Sequence, residues 1–200
     1  MLGDRFEQVL AGAREGDGQA FAELWRDSHP MLLRYLRVTA GVLAEDVASH
    51  AWLKVIEALG SFTGDEPGFR RWLVTIARNH YLDEVRRAGR RPERLVSDVA
   101  LLVDEGRQFE RDAASIAEER LSTDAALRLI ATLPREQAEM VMLRVVIGLD
   151  VADVAQVVGK KPGAVRVAVH RSLRRLADQI GDSGAAVTRD AVLAFPDRDA

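Results

Sequence analysis

Two small all-α domains joined by a flexible acidic linker are predicted for this chain, and three observations carry the prediction. Apolar residues recur three or four positions apart along most of the 200 residues, the spacing of one helix face. No period-2 alternation runs long enough for a strand. From about residue 93 to 115 the periodicity lapses, and Asp98, Asp104, Glu105, Glu110 and Asp112 outnumber Arg94, Arg107 and Arg111. With 48% apolar residues, the chain suits two small cores better than one large one.

The elements follow in order from spacing and punctuation. Phe6, Val9, Leu10 and Ala13 predict a short first helix. Asp17-Gly18 can cap a second helix through Phe21, Leu24, Trp25, His29, Leu32 and Leu36. Pro30 lies inside it, so the helix kinks there or two helices meet. A third helix runs from Ala44 to Leu59 on the stripe Val47, Ala51, Val55, with Leu43 and Leu59 at its ends. Gly60 to Glu66 reads as a loop. Pro67 suits the first turn of a fourth helix, where its missing N–H costs nothing. That helix carries Phe69, Trp72, Leu73, Ile76, Ala77, Leu82 and Val85 and ends at Gly89 and Pro92. Trp72 and Ile76 are expected in the core. Helical pattern resumes near Ile116 through Leu133. Pro134 opens a helix that Gly148 breaks, and two more follow over about 150–158 and 163–180. The tail 181–200 is small and polar, and is expected to be loosely ordered.

Composition excludes several function classes. Without cysteine there is no disulfide, thiol nucleophile or thiolate metal site, which fits a reducing compartment. The N-terminus lacks a secretory pattern, and no apolar run reaches the roughly 18–20 residues of a membrane span. A cytoplasmic protein without membrane insertion is expected. His29, His50, His80 and His170 are scattered and form no metal-binding pair, and there is no Gly-rich phosphate loop or nucleophile elbow. Neither an enzyme nor a cofactor is expected. The net charge of −3 argues against autonomous duplex binding, so the distribution of charge matters more than its sum.

Two basic constellations stand out. Residues 150–166 have the grammar of a helix-turn-helix: a short helix with alanine at the crossing, Gly159, then Pro162-Gly163 opening a second helix. Val165, Val169, Leu173 and Leu176 form the buried face of that helix. Arg166, His170 and Arg174 make one row at i, i+4, i+8, and Val167, Arg171 and Arg175 the adjacent row. No acid occurs between Val154 and Ala177. A helix destined for a major groove carries such a basic stripe. The second constellation, Phe69 to Arg91, interleaves arginines with aromatics and ends in an arginine run. The helix dipole favours part of that run, but basic, planar and hydrogen-bonding groups on one helix also suit single-stranded DNA.

In this order and across this linker, the constellations resemble the extracytoplasmic-function subfamily of sigma-70-type sigma factors. The residues that carry the resemblance are Asp17 to Trp25, Ala44-Glu45-Asp46-Val47, Phe69 to Arg91, Leu133-Pro134-Arg135-Glu136-Gln137, and the final helix ending His170-Arg171-Ser172-Leu173-Arg174-Arg175-Leu176. The resemblance implies an alternative sigma factor that directs promoter-specific initiation. Residues 1–92 would form a region 2-like domain, 93–115 an acidic linker, 116–180 a region 4-like domain and 181–200 a tail.

Region 2 of such factors docks on the β′ clamp helices of core RNA polymerase, which implies Glu45, Asp46, Ser49 and His50 as contacts. It captures the −10 element as a melted strand, implying Asn79, His80, Arg86, Arg87 and Arg90, with the loop Ser61 to Glu66 as candidate base pocket. Extruding a base costs a few kcal/mol that other contacts offset. Region 4 reads the −35 duplex on the β flap, implying Lys160, Lys161, Arg166, His170, Arg171 and Arg174. The implied partners are core polymerase and promoter DNA, with an anti-sigma factor as a further candidate. Basic patches in an acidic whole would also suppress stray binding, which scales with phosphates neutralised.

The chain departs from the family at Ser49-His50, where Gln and an acid are usual, and at Val167-Ala168, where Ser-Arg is usual. A different or weaker −35 reading is therefore expected. The rival is a helix-turn-helix regulator that binds operator duplex without polymerase. It accounts for the C-terminal half but leaves the arginine-aromatic helix unexplained.

Overall fold

The computed structural model describes residues 2–89 and 123–182, and every regular element among them is helical. The expected linker, the stretch 116–122, Arg90 and the tail from 183 onward lie outside the described residues.

The first lobe holds α1 (Phe6–Arg14), α2 (Gly18–Ala40), α3 (Ala44–Ala58) and α4 (Glu66–Gly89). Helix α1 buries Phe6, Val9, Leu10 and Ala13, the four residues its spacing selects. Asp17 caps α2 by accepting from the Gln19 N–H at 2.8 Å. The helix runs unbroken through Pro30 to Ala40, so of the two expectations for that proline the junction of two helices does not apply. One missing N–H is tolerated there because Leu24, Leu32, Tyr35 and Leu36, buried on both sides of it, hold the helix to the core. Helix α3 buries Val47, Ala51 and Val55 as the stripe predicts, with Trp52 beside them. The Asp65 carboxylate accepts from the Gly68 N–H at 2.8 Å and so caps α4, with Pro67 in its first turn. Phe69, fully buried, sits among Phe6, Phe62 and Trp72 with ring centroids 5.6–5.9 Å away.

The second lobe holds a helix over 123–131, here α5, then α6 (Arg135–Val141), a π-turn (Met142–Val146), α7 (Val151–Val158) and α8 (Pro162–Asp182). The π-turn closes with the Ile147 N–H donating to the Met142 carbonyl at 3.0 Å. Asp150 caps α7 by accepting from the Asp153 N–H at 2.6 Å. Gly159 ends α7 at φ +68°, and the following Lys160 N–H returns to the Ala155 carbonyl at 2.9 Å. That left-handed turn is the helix stop for which glycine is the low-cost residue.

Instead of two separate cores, one contiguous buried cluster runs through both lobes. Helix α2 packs on α6 and the π-turn, and α4 meets α7. Leu32, Tyr35 and Leu36 belong to the same cluster as Val141, Met142 and Leu143. The physical reason is size. A lobe of some sixty residues buries a smaller share of its surface than a larger domain does and is marginal on its own, and α2 supplies a further partner.

Candidate nucleic-acid and polymerase interfaces

Helix α8 turns Val165, Val169, Ser172 and Leu176 inward, where the Ser172 hydroxyl lies 3.3 Å from the Gln137 side-chain oxygen. This leaves Arg166, Val167, His170, Arg171, Arg174 and Arg175 exposed on the opposite face. Among the described residues no ion pair engages those four arginines. Lys161 is exposed at the turn before the helix. Lys160 differs: its ammonium holds Glu136 at 2.9 Å, and that hydrogen bond draws the Glu136 carboxyl below its ordinary pKa. Of the six side chains expected at the −35 element, the four on α8 share one open face, Lys161 is exposed before it, and Lys160 is tied to α6.

Helix α4 has three faces. Phe69, Leu73 and Ala77 are fully buried. Asn79, Arg86 and Arg87 are exposed, with Arg86 on Asp83 at 2.8 Å and Arg87 on Glu84 at 2.6 Å. Such i,i+3 pairs at the surface are weak and screened by salt, so phosphate can displace them. The third face meets the second lobe. There the Arg78 Nε–H donates to Glu139 at 2.6 Å, and Arg71 pairs with Asp153. An Arg70 guanidinium N–H donates to the Ile147 carbonyl at 3.3 Å, and Arg135 lies over the Tyr81 ring at 4.9 Å. The buried Tyr35 hydroxyl donates to the same Glu139 oxygen at 3.0 Å. Three arginines of the basic helix are thus occupied by the chain itself. No sequence pattern pointed to this, because the partners of these arginines lie 61 to 82 residues away.

The loop after α3 folds on itself. Phe62 stacks on Trp72 at 4.9 Å, and the Ser61 hydroxyl donates to the Ala58 carbonyl at 2.8 Å. Trp72, expected in the core, is only half-buried. It shares a strip of α4 with Asn79, so the loop expected to hold a base adjoins the helix expected to bind the strand.

On α3, Glu45, Asp46, Ser49 and His50 are all exposed. The same face continues into Leu53 and Ile56, which are 57% and 55% exposed. These two were missed in the sequence, although falling outside the Val47–Ala51–Val55 stripe is the signal that finds them. The His50 ring stacks on His80 at 4.1 Å, nearly parallel. An expected polymerase contact and an expected −10 contact thereby meet.

Burial, and then the neighbouring His50, lower the pKa of His80. Burial likewise lowers that of His29, whose Nδ1 accepts from the Trp52 indole N–H at 3.2 Å. Glu45 opposes that shift and Arg37 adds to it. Just below the ordinary histidine value of 6.5, the unfolded chain binds more protons than the folded one, so stability rises with pH. Their contribution is complete above that value and falls as pH drops through it. Thermal melts are expected to show a lower Tm at pH 5.5 than at 7.5, and a smaller drop in His29→Asn, which keeps an acceptor for Trp52. An equal drop in that variant would remove His29 as a source.

Among the described residues no group of three or more histidines, cysteines or acids could hold a metal, and no helix is long and apolar enough to cross a membrane.

Comparison with known proteins adds a second line. The family model for Sigma-70 region 2 matches residues 24–91, and that for Sigma-70, region 4 matches residues 123–176. The chain is 34% identical over 198 residues to the ECF RNA polymerase sigma factor SigD of Mycobacterium tuberculosis, covering 92% of this chain and 88% of the relative. It is 37% identical over 175 residues to the ECF RNA polymerase sigma factor ShbA of Streptomyces griseus, covering 82% and 89%. A chain in the structure of CnrH in complex with the cytosolic domain of CnrY shares its fold. The TM-score is 0.58 at 22% identity, over 91% of this chain and 100% of that one.

Proposed function

This chain belongs to the sigma-70 family as an extracytoplasmic-function sigma factor, and we propose that it divides promoter recognition between its two lobes. As an alternative sigma factor it binds core RNA polymerase and directs initiation at particular promoters. In the proposed division, the exposed α3 face from Glu45 to Ile56 docks on the β′ clamp helices. The strip of α4 through Asn79, Arg86 and Arg87, with the Phe62–Trp72 loop, takes the melted −10 strand. The α8 face reads the −35 duplex beside the β flap. The chain supplies binding and no catalytic group, and it works in the compartment of the polymerase.

One observation carries this reading. A chain of net charge −3 leaves open on α8 a face with Arg166, His170, Arg171, Arg174 and Arg175, while its own acids lie elsewhere. Such a surface suits phosphate and base edges, and the overall acidity keeps it from binding DNA unaided.

The closed arrangement cannot serve both elements at once. Arg71 touches Asp153, whereas elements named for positions roughly 25 base pairs apart lie ~85 Å apart along a duplex at 3.4 Å per step. The lobes separate when promoter and polymerase are engaged. An anti-sigma factor that holds the lobes together would be the corresponding inhibitor.

Run-off transcription with and without core polymerase tests the reading. Specific initiation that needs both proteins is the expected result. Tight sequence-specific duplex binding by the chain alone, without initiation, would turn the assignment to a helix-turn-helix regulator. On a responsive promoter, Arg171→Ala is expected to weaken the complex by about 1–3 kcal/mol if it reads a base edge, measured by gel shift of the holoenzyme. Unchanged affinity would remove Arg171 from the reading surface.

A further inference from the structure

The outward face of α8 contains one side chain that the basic stripe does not explain. Val167 is 48% exposed, and among the described residues of the second lobe it is the only large apolar side chain so exposed. It is not a stray member of the buried row, since Val165 and Val169 on either side of it point into the core. It lies between Arg166 and His170 and one turn before Arg171. Its place is the sixth residue of a helix that begins at Pro162, in the N-terminal part that a recognition helix presents to base edges.

Valine has no donor or acceptor. Set against the polar edge of a guanine, an adenine or the amino group of a cytosine, it would remove water and return no hydrogen bond, which is unfavourable. The major groove offers one apolar group, the 5-methyl of thymine. We propose that Val167 is a specificity residue of the −35 reading surface and that it contacts a thymine 5-methyl group. The inference rests on the proposed assignment of α8 to the −35 duplex and adds the base that one position prefers. The flanking Arg166, His170 and Arg171 supply phosphate and base-edge hydrogen bonds, so Val167 contributes discrimination more than affinity.

The test uses holoenzyme assembled from the full chain and core polymerase. Selection from promoter duplexes randomised upstream defines the −35 element. Each thymine in it, on both strands, is then replaced by deoxyuridine, which deletes only the methyl group. The wild type is expected to lose about fourfold in affinity at one such position, the weight of one buried methyl group. Val167→Ala is expected to bind thymine and uracil there equally, while keeping the wild-type melting temperature because the side chain is exposed. A −35 element without thymine overturns the proposal. So does a wild type indifferent to every uracil substitution, or a Val167→Ala variant that keeps the full methyl dependence. If holoenzyme enriches no element at all, the −35 assignment of α8 fails, and this inference with it. Enrichment without methyl dependence sinks the inference alone.

Discussion

Glu139→Ala is expected to weaken the closure of the two lobes by about 2–4 kcal/mol. One oxygen of this carboxylate accepts from both the Tyr35 hydroxyl, at 3.0 Å, and Arg78 Nε, at 2.6 Å. The Arg78 and Glu139 side chains are only 18% and 15% exposed, so water screens the pair little. Tyr35 is 1% exposed, and burial first, then Glu139, push its phenol well above the ordinary pKa. Without the carboxylate a buried hydroxyl loses its acceptor and a largely buried guanidinium loses its counter-charge. The Arg71–Asp153 contact cannot compensate, because Arg71 is 41% exposed and its pair is correspondingly screened.

The molecule has an alternative to bearing that penalty: the lobes can part and return both groups to water. The loss should therefore appear as opening, a shift of roughly 30- to 1,000-fold in the open-to-closed ratio. Small-angle scattering of the free full chain is expected to report a larger radius of gyration for Glu139→Ala. Glu139→Gln, which keeps an acceptor for Tyr35, should fall between it and wild type. A variant that melts earlier yet keeps the wild-type radius would show that Glu139 supports the fold without governing closure.

How far the sequence could be read follows from the range of each interaction. Helices α1, α3, α7 and α8 were legible because their apolar spacing and their Asp, Gly and Pro signals are local. Gly159 and the pair Val165/Val169 are examples. The outward position of Arg166, His170, Arg171 and Arg174 followed from the same periodicity. The junction of the lobes was not legible. Glu139 looks like any acid on a short helix until α2 and α4 bring Tyr35 and Arg78 to it. Trp72 packs against the core as its spacing suggests, although only partly buried, and what the spacing could not show is the loop folding back to place Phe62 on its ring. Pro30 left a kink and a junction both open, and what decides for one continuous helix is not local: burial on both sides of the proline offsets the missing hydrogen bond. The Leu53–Ile56 patch was hidden by its chemistry, since a reader of one chain assigns leucine and isoleucine to the interior.

That patch carries the second large prediction. Leu53 and Ile56 lie a turn apart on the outer face of α3, below Asp46, Ser49 and His50. Scattered exposed apolar residues are ordinary, but adjacent ones bordered by polar groups have the anatomy of a docking surface, an apolar centre with a polar rim. Replacing both with aspartate should leave the fold intact, because each is more than half exposed and α3 is anchored through Val47, Ala51, Trp52 and Val55 on its other side. Against polymerase the cost should be large. Truncating residues at the centre of an interface commonly loses 2 kcal/mol or more, and two uncompensated carboxylates add desolvation to the lost contact. A fall in affinity for core polymerase of roughly 100-fold or more is expected, read by fluorescence anisotropy of labelled sigma. Thermal melts would verify that the variant still folds. If the double variant folds and still binds polymerase as wild type does, the α3 face is not the docking surface, and the assignment of Glu45, Asp46, Ser49 and His50 falls with it. If binding is lost with Leu53→Asp and Ile56→Asp but survives Ser49→Ala and His50→Ala, the apolar pair holds the complex and the polar rim orients it. The unusual Ser49-His50 would then cost little, because the strongest contacts lie one turn further along the helix.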